Sequence, residues 1–169
     1  PEGEVTAVQL TFLDPTTANK AQIPVPKRSF GSLTGSAVTI QTCPLESGKP
    51  TETSNLHFIA EGVETALSLK EAGIQGTIKA SLGLSNIKNL EPQDPNTHII
   101  ICADHDAPGS SATKILEKSA HVIQEKGFKV TVVKSDTLGE DFNDVLKAKG
   151  PEGIREIIAK SLPKVLAVA

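Results

Sequence analysis

Acidic side chains recur at three places in this sequence, each following an apolar run. Glu61 comes directly after Leu56-His57-Phe58-Ile59-Ala60 and is followed by Gly62. Asp104-His105-Asp106 comes directly after Ile99-Ile100-Ile101-Cys102-Ala103. Asp141-Phe142-Asn143-Asp144 lies in the loop or first helical turn beyond the run Phe128 to Val133. Residues two apart in extended chain point the same way, so Asp104 and Asp106 can face one site with His105 turned aside. Carboxylate oxygens suit Mg²⁺, a hard cation that keeps several of its waters, so a few carboxylates are enough. Concentrated negative charge is costly unless a cation resides there. A cation so held bridges to phosphate oxygens and stabilises the charge that develops in phosphoryl transfer. A carboxylate crowded by others has a raised proton affinity, which suits Glu61 to general acid/base work. Each cluster also has a bland reading. Asp106 can cap a helix beginning near Gly109, and Glu61, Asp141 and Asp144 can be favourable acids at helix N-termini. Capping alone does not explain three acidic clusters at three successive strand ends.

The elements that must position these groups follow from periodicity. Leu56 to Ala60, Thr77 to Leu82, His98 to Ala103 and Phe128 to Val133 read as strands. The Ile-Ile-Ile run of the third predicts burial on both faces. Val63 to Ala72 reads as a helix stopped by Gly73, and Ser110 to Lys126 as a helix capped by Gly127. Ser85 to Leu90 fits a short helix. Asp141 to Lys149 reads as a helix ended by Gly150, and Pro151 opens a last helix at the position where proline is tolerated. Alternating strands and helices argue a mainly parallel sheet of about four strands with helices on both faces, so the expected class is α/β. Ligands of such sheets lie beyond the carboxyl ends of the strands, where all three acidic clusters fall.

The first third has a different texture. Val5 to Leu13, Lys27 to Leu33 and Ala37 to Thr42 are short strand candidates separated by turn chemistry at Asp14-Pro15 and Asn19-Lys20. Pro44 to Ser54 is polar and reads as a linker or loop. The expected division is a β-rich lead-in over 1–54, an α/β domain over 55–162 and a tail over 163–169.

Bulk properties narrow the function. The 169 residues carry a net charge of −3, with five Phe and no Trp, Tyr or Met. The core must therefore be aliphatic. A free-standing nucleic-acid binder usually has a strong positive excess, so neighbouring domains are expected to supply much of any grip on DNA. A chain without Met that begins at Pro1 is expected to be a piece of a longer protein. Cys43 and Cys102 are too few for a disulfide framework and lack metal-ligand spacing. No apolar stretch is long enough to span a membrane and no signal peptide is evident, so the expected compartment is the cytoplasm.

The ordered set Glu61-Gly62-Val63-Glu64-Thr65-Ala66-Leu67, Ser81-Leu82-Gly83, Asp104-His105-Asp106-Ala107-Pro108-Gly109 and Asp141-Phe142-Asn143-Asp144-Val145-Leu146 resembles the Toprim domain. That module is shared by bacterial-type primases, type IA and type II topoisomerases, overcoming-lysogenisation-defect nucleases and recombination-repair proteins. The likeness covers roughly Leu56 to Ser161. It is most similar to the Toprim modules of plasmid and phage primases and of conjugative-transfer relaxase/helicase proteins, and the lead-in looks like the segment preceding Toprim there. The resemblance implies a Toprim-like, Rossmann-type sheet. It implies Glu61 as general acid/base, Asp104 and Asp106 as the metal-binding pair with Glu61, and Asp141 as the first acid of the third motif. It implies Mg²⁺, with Mn²⁺ as a substitute, and Mg-dependent nucleotidyl transfer or phosphodiester cleavage on DNA, with nucleotides as further ligands. Primases of the family often carry acids where Thr65 and Asn143 stand; Asp144 lies one position from the second of these.

Other residues weigh in less. Asn143, Asp144, Lys79 and Gly83 are additional candidates for metal or substrate contact, with Lys79 expected nearest the site. Lys27, Arg28 and Lys88 can reach phosphates, although solvated surface is the commoner fate of each. His57, His98 and His121 read as surface or strand-end residues. Without Tyr the chain cannot itself form the tyrosyl phosphodiester of a topoisomerase. Two further readings compete. One is a non-catalytic Toprim module that positions DNA or contacts protein. The other is an aspartyl phosphotransferase or phosphoreceiver with Asp104 as nucleophile, which is disfavoured because such acids usually sit on the first strand.

Overall fold

A computed structural model describes residues 5–17, 19–43 and 53–162; most of the polar stretch 44–54 and the tail 163–169 lie outside the described residues. The elements are β1 (Ala7–Thr11), β2 (Lys27–Gly31), β3 (Val38–Gln41), β4 (Leu56–Ala60), α1 (Val63–Glu71), β5 (Thr77–Ala80), a 3₁₀ turn (Leu84–Asn89), β6 (His98–Ala103), α2 (Ser111–Glu125), β7 (Lys129–Lys134) and α3 (Phe142–Ser161).

The expected α/β class holds. The four foreseen strands β4, β5, β6 and β7 are parallel. The sheet has five strands rather than four, in the order β3-β5-β4-β6-β7, because β3 from the lead-in adds an antiparallel edge against β5. Side-chain amides hold that edge. Gln41 donates from Nε2 to the carbonyls of Ile74 at 3.0 Å and Gly76 at 2.9 Å. Asn86 donates from Nδ2 to the carbonyls of Ser36 at 2.9 Å and Ser81 at 2.8 Å. None of these bonds announces itself in local sequence. The rest of the lead-in is a separate antiparallel pair, β1 with β2, in register Val8 opposite Phe30. A two-stranded ribbon buries little, and Val8, Leu10, Phe12 and Phe30 all stay exposed.

Strand pleating splits the core in two. Phe58, Ala60, Ile78, Ala80, Ile100 and Cys102 pack with Ala66 and Leu69 of α1 and with Phe142, Val145, Ile154 and Ile158 of α3. Ile59, Ile99 and Ile101 face the other way, onto Leu116 and Ile123 of α2 and Ile87 of the 3₁₀ turn. Ile99, Ile100 and Ile101 are all fully buried, as a strand covered on both faces requires. The two helices foreseen after Asp141 are both present within α3 and meet at Gly150, whose non-helical φ of 66° and ψ of −171° belong to a region essentially reserved for glycine. His98, expected at a surface or strand end, starts β6 but is buried, with Nε2 2.8 Å from the hydroxyl of Thr131.

Candidate metal centre

The sheet order creates the site. From β4 the chain steps to β5 on one side, then crosses to β6 on the other side of β4, with α1 and α2 on opposite faces. A crevice opens beyond the carboxyl ends at such a reversal of strand order. Ala60 pairs with Cys102, so Glu61 and Asp104 leave neighbouring strands at nearly the same level.

The third acid arrives through two loops tied together. The amide of His105 donates to the carbonyl of Glu140 at 3.2 Å, and that of Gly139 to the carbonyl of His105 at 2.7 Å. His105 is turned aside as expected, and its Nδ1–H donates to the carbonyl of Ser135 at 2.8 Å. The buried Ser135 hydroxyl donates to the carbonyls of Thr137 at 2.9 Å and Glu140 at 3.2 Å. Asp141 is the N-cap of α3 in a capping box with Asp144, and Phe142 is fully buried beneath it.

Glu61, Asp104, Asp141 and Asn143 line one open cavity of about 690 Å³, together with Gly62, Glu64, Thr65 and Lys147, and with Leu13, Asn19, Lys20 and Lys27 from the lead-in. Asp106 and Asp144 do not line it, but their charges act on Asp104. Solvent reaches Asp104. Even so, partial burial first, then the charges of Asp141, Glu61, Asp106 and Asp144, push its carboxyl up from 3.8 to about 6. Four acids therefore act on the fifth, beyond the larger effect of its burial, which makes this cleft a candidate functional site.

Gly83 and Lys79 are not brought in. Gly83 caps the 3₁₀ turn. Ile78 and Ala80 point into the core beneath α1 and α3, so the pleat sends Lys79 to the opposite face, where its charge lowers the proton affinity of His57 after the larger effect of that ring's burial. The lysines that do reach the cavity are Lys20, Lys27 and Lys147. Of these, only Lys27 stood out in the sequence. Glu64 was legible as the fourth residue of the Glu61 motif but not as a partner of Lys20 and Lys27, far upstream in the lead-in.

Among the described residues no three His, Cys, Asp or Glu side chains converge closely enough to enclose a metal ion. The donor set nonetheless fits Mg²⁺, which takes one or two carboxylates directly and retains water in its other positions. All-oxygen donors and an uncompensated negative centre are what such a partly hydrated ion neutralises.

Fold and site together define a doubly wound α/β domain with an acidic crevice at its strand-order reversal. Sequence comparison gives the class its family: residues 57–152 match the Toprim domain, and the chain belongs to that family. Membership carries a general role in DNA processing and the acidic motifs through which Toprim domains generally bind Mg²⁺. Residues 1–40 match a domain of unknown function, DUF7146. No curated protein matches the chain. Among the described residues no helix is long and apolar enough to cross a membrane.

Proposed function

We propose that this is the Toprim module of a larger DNA-processing protein, primase-like or conjugative, that performs Mg-dependent nucleotidyl transfer or phosphodiester cleavage. The meeting of Glu61, Asp104 and Asp141 in one cavity carries the reading, and the raised proton affinity of Asp104, caused first by burial and then by Asp141, Glu61, Asp106 and Asp144, agrees with it. Asp104, Asp106, Asp141 and Glu61 would hold Mg²⁺, with Mn²⁺ as a substitute, and the bound ion would supply charge neutralisation at a phosphate. Glu61 lines the cavity and is exposed, so it can exchange a proton with a nucleophilic hydroxyl or water. The backbone bonds between the loops at His105 and at Gly139 and Glu140 hold Asp104 and Asp141 in place before substrate arrives.

A cytoplasmic setting and DNA as the partner, with neighbouring domains adding grip, belong to the same proposal, as does the division into lead-in, Toprim domain and tail. The non-catalytic alternative draws support from the lack of three converging ligands among the described residues. Mn²⁺ titration followed by amide NMR separates the two. Broadening around Glu61, Asp104 and Asp141 that disappears in Asp104→Asn/Asp106→Asn supports the catalytic reading. No broadening at millimolar Mn²⁺, with and without an added DNA oligonucleotide, favours the scaffold.

A further inference from the structure

The cavity is lined by both carboxylates and lysines, drawn from different parts of the chain. Glu61, Asp104 and Asp141, called the floor below, line it from the α/β part, and Lys20 and Lys27 line it from the lead-in; Glu64 and Lys147 line it as well. Lys27 is the first residue of β2, and Lys20 is held by the isolated bridge between Leu13 and Lys20. Both ammonium groups converge on one carboxylate, Glu64 in the first turn of α1. Lys20 Nζ lies 3.5 Å from Oε1 and Lys27 Nζ 3.6 Å from Oε2. Gly62 leaves room for this meeting, since a Cβ there would stand 3.1 Å from Oε2 of Glu64 and 3.9 Å from Lys27 Nζ.

Free lysines beside so negative a floor would be expected to fall onto it. Among the described residues none forms an ion pair with Glu61, Asp104, Asp106 or Asp141. Glu64 holds Lys20 and Lys27 instead, and two cations on one anion leave a surplus positive charge in the lining. A phosphate approaching the floor meets repulsion there, so a ligand bearing several phosphates needs cations beside it as well. Lysine is suited to this because its ammonium is a mobile point charge that can exchange one oxygen partner for another.

We propose that Lys20 and Lys27 form an anion-binding wall for the phosphates of a nucleoside triphosphate or of a DNA strand, in the same cavity as the carboxylate floor. The placement deepens the proposed phosphoryl-transfer reading and rests on it for the role of the floor, but the wall itself needs no metal.

The test is titration of the chain with inorganic tripolyphosphate in a chelator at low salt. Wild type binds, and Lys20→Ala/Lys27→Ala binds at least about tenfold more weakly. The logarithmic salt dependence flattens by about one for each lysine removed. Lys20→Arg/Lys27→Arg keeps binding and guards against loss through misfolding, which amide NMR checks in every variant. A nucleoside triphosphate and an oligonucleotide without terminal phosphate are then used as competitors, and the one that displaces tripolyphosphate identifies the source of the phosphates. Equal binding by wild type and the folded double-alanine variant overturns the wall, as does failure of both competitors. Asp104→Asn/Asp106→Asn separates the two readings. Loss of Mn²⁺ binding with metal-free tripolyphosphate binding kept is the expected pattern. If wild type takes no Mn²⁺ yet the lysine effects persist, the floor's assignment fails and the wall stands.

Discussion

Asp141 accepts a hydrogen bond on Oδ1 from the backbone amide of Asp144 at 2.8 Å, while Asp144 returns a contact to the amide of Asp141 at 3.5 Å. The helix cap and the candidate metal ligand are thus the same carboxylate. The bond fixes Oδ1, and Asp141 also lines the cavity. Two substitutions separate the roles. Asp141→Ala removes the cap and should cost about 1 kcal/mol in urea denaturation. Asp141→Asn keeps an acceptor at the N-cap, so it should leave stability nearly unchanged while weakening Mn²⁺ binding measured by NMR line broadening.

The proton affinity of Asp104 gives a pH dependence of defined sign. Its carboxyl is raised from 3.8 to about 6, so the folded chain holds this proton more tightly than the unfolded chain does. Below the lower value both states are protonated. As pH rises toward and past 6, the unfolded state releases its proton first, and this group lowers metal-free stability. Asp104→Asn should therefore stabilise the metal-free chain at pH 7 to 8 and not at pH 3.5. Denaturation midpoints across pH measure this, and a midpoint difference independent of pH would refute the assignment. Protons should also compete with Mn²⁺, so its affinity should drop as pH falls below about 6.

His105 should act on the metal without touching it. Its ring is bonded to the Ser135 carbonyl, and its backbone bonds the 139–140 loop. His105→Ala keeps every carboxylate but loosens the loop carrying Asp141. Loss of such an outer support typically lowers metal affinity by about 10- to 100-fold. Calorimetric titration with Mn²⁺ checks it.

Glu61→Gln keeps size and removes the proton-exchanging group. In the longer protein, turnover with Mg²⁺ should fall by about a hundredfold to ten-thousandfold, with the fold intact by NMR. Unchanged turnover would remove Glu61 from the chemistry.

Phe142 sits between Asp141 and Asn143 and is fully buried. Phe142→Ala should cost about 3–5 kcal/mol in urea denaturation, and the loss should extend to the site because the helix start it anchors carries Asp141.

Much of the α/β part was legible. Apolar runs of strand length between helix-period stretches gave β4, β6, α1 and α2 nearly to the residue, because burial on both faces leaves such strands almost wholly apolar, with His57 and His98 as the exceptions. Two acidic clusters were legible from the same runs: Glu61 and Asp104 are each the first charged residue after the strand that precedes them, whereas Asp141 follows Lys134, Asp136 and Glu140. The lead-in was harder. The pairing of β3 with β5 depends on Gln41 and Asn86 reaching backbone carbonyls far along the chain, and a short half-exposed strand has no pattern that names its partner.

The sequence by itself determined that β6 must be covered on both faces, roughly where the parallel strands lie, and that carboxylates follow β4 and β6 directly, since periodicity and hydrophobicity act locally. Only the tertiary structure decided which charges meet. It turned Lys79 away from the cavity by the pleat of β5, brought Lys20 and Lys27 onto Glu64, and joined the His105 loop to the Glu140 loop. Charge interactions depend on distance through space and are blind to separation along the chain, so their partners are set by how the sheets and loops pack rather than by spacing in the sequence.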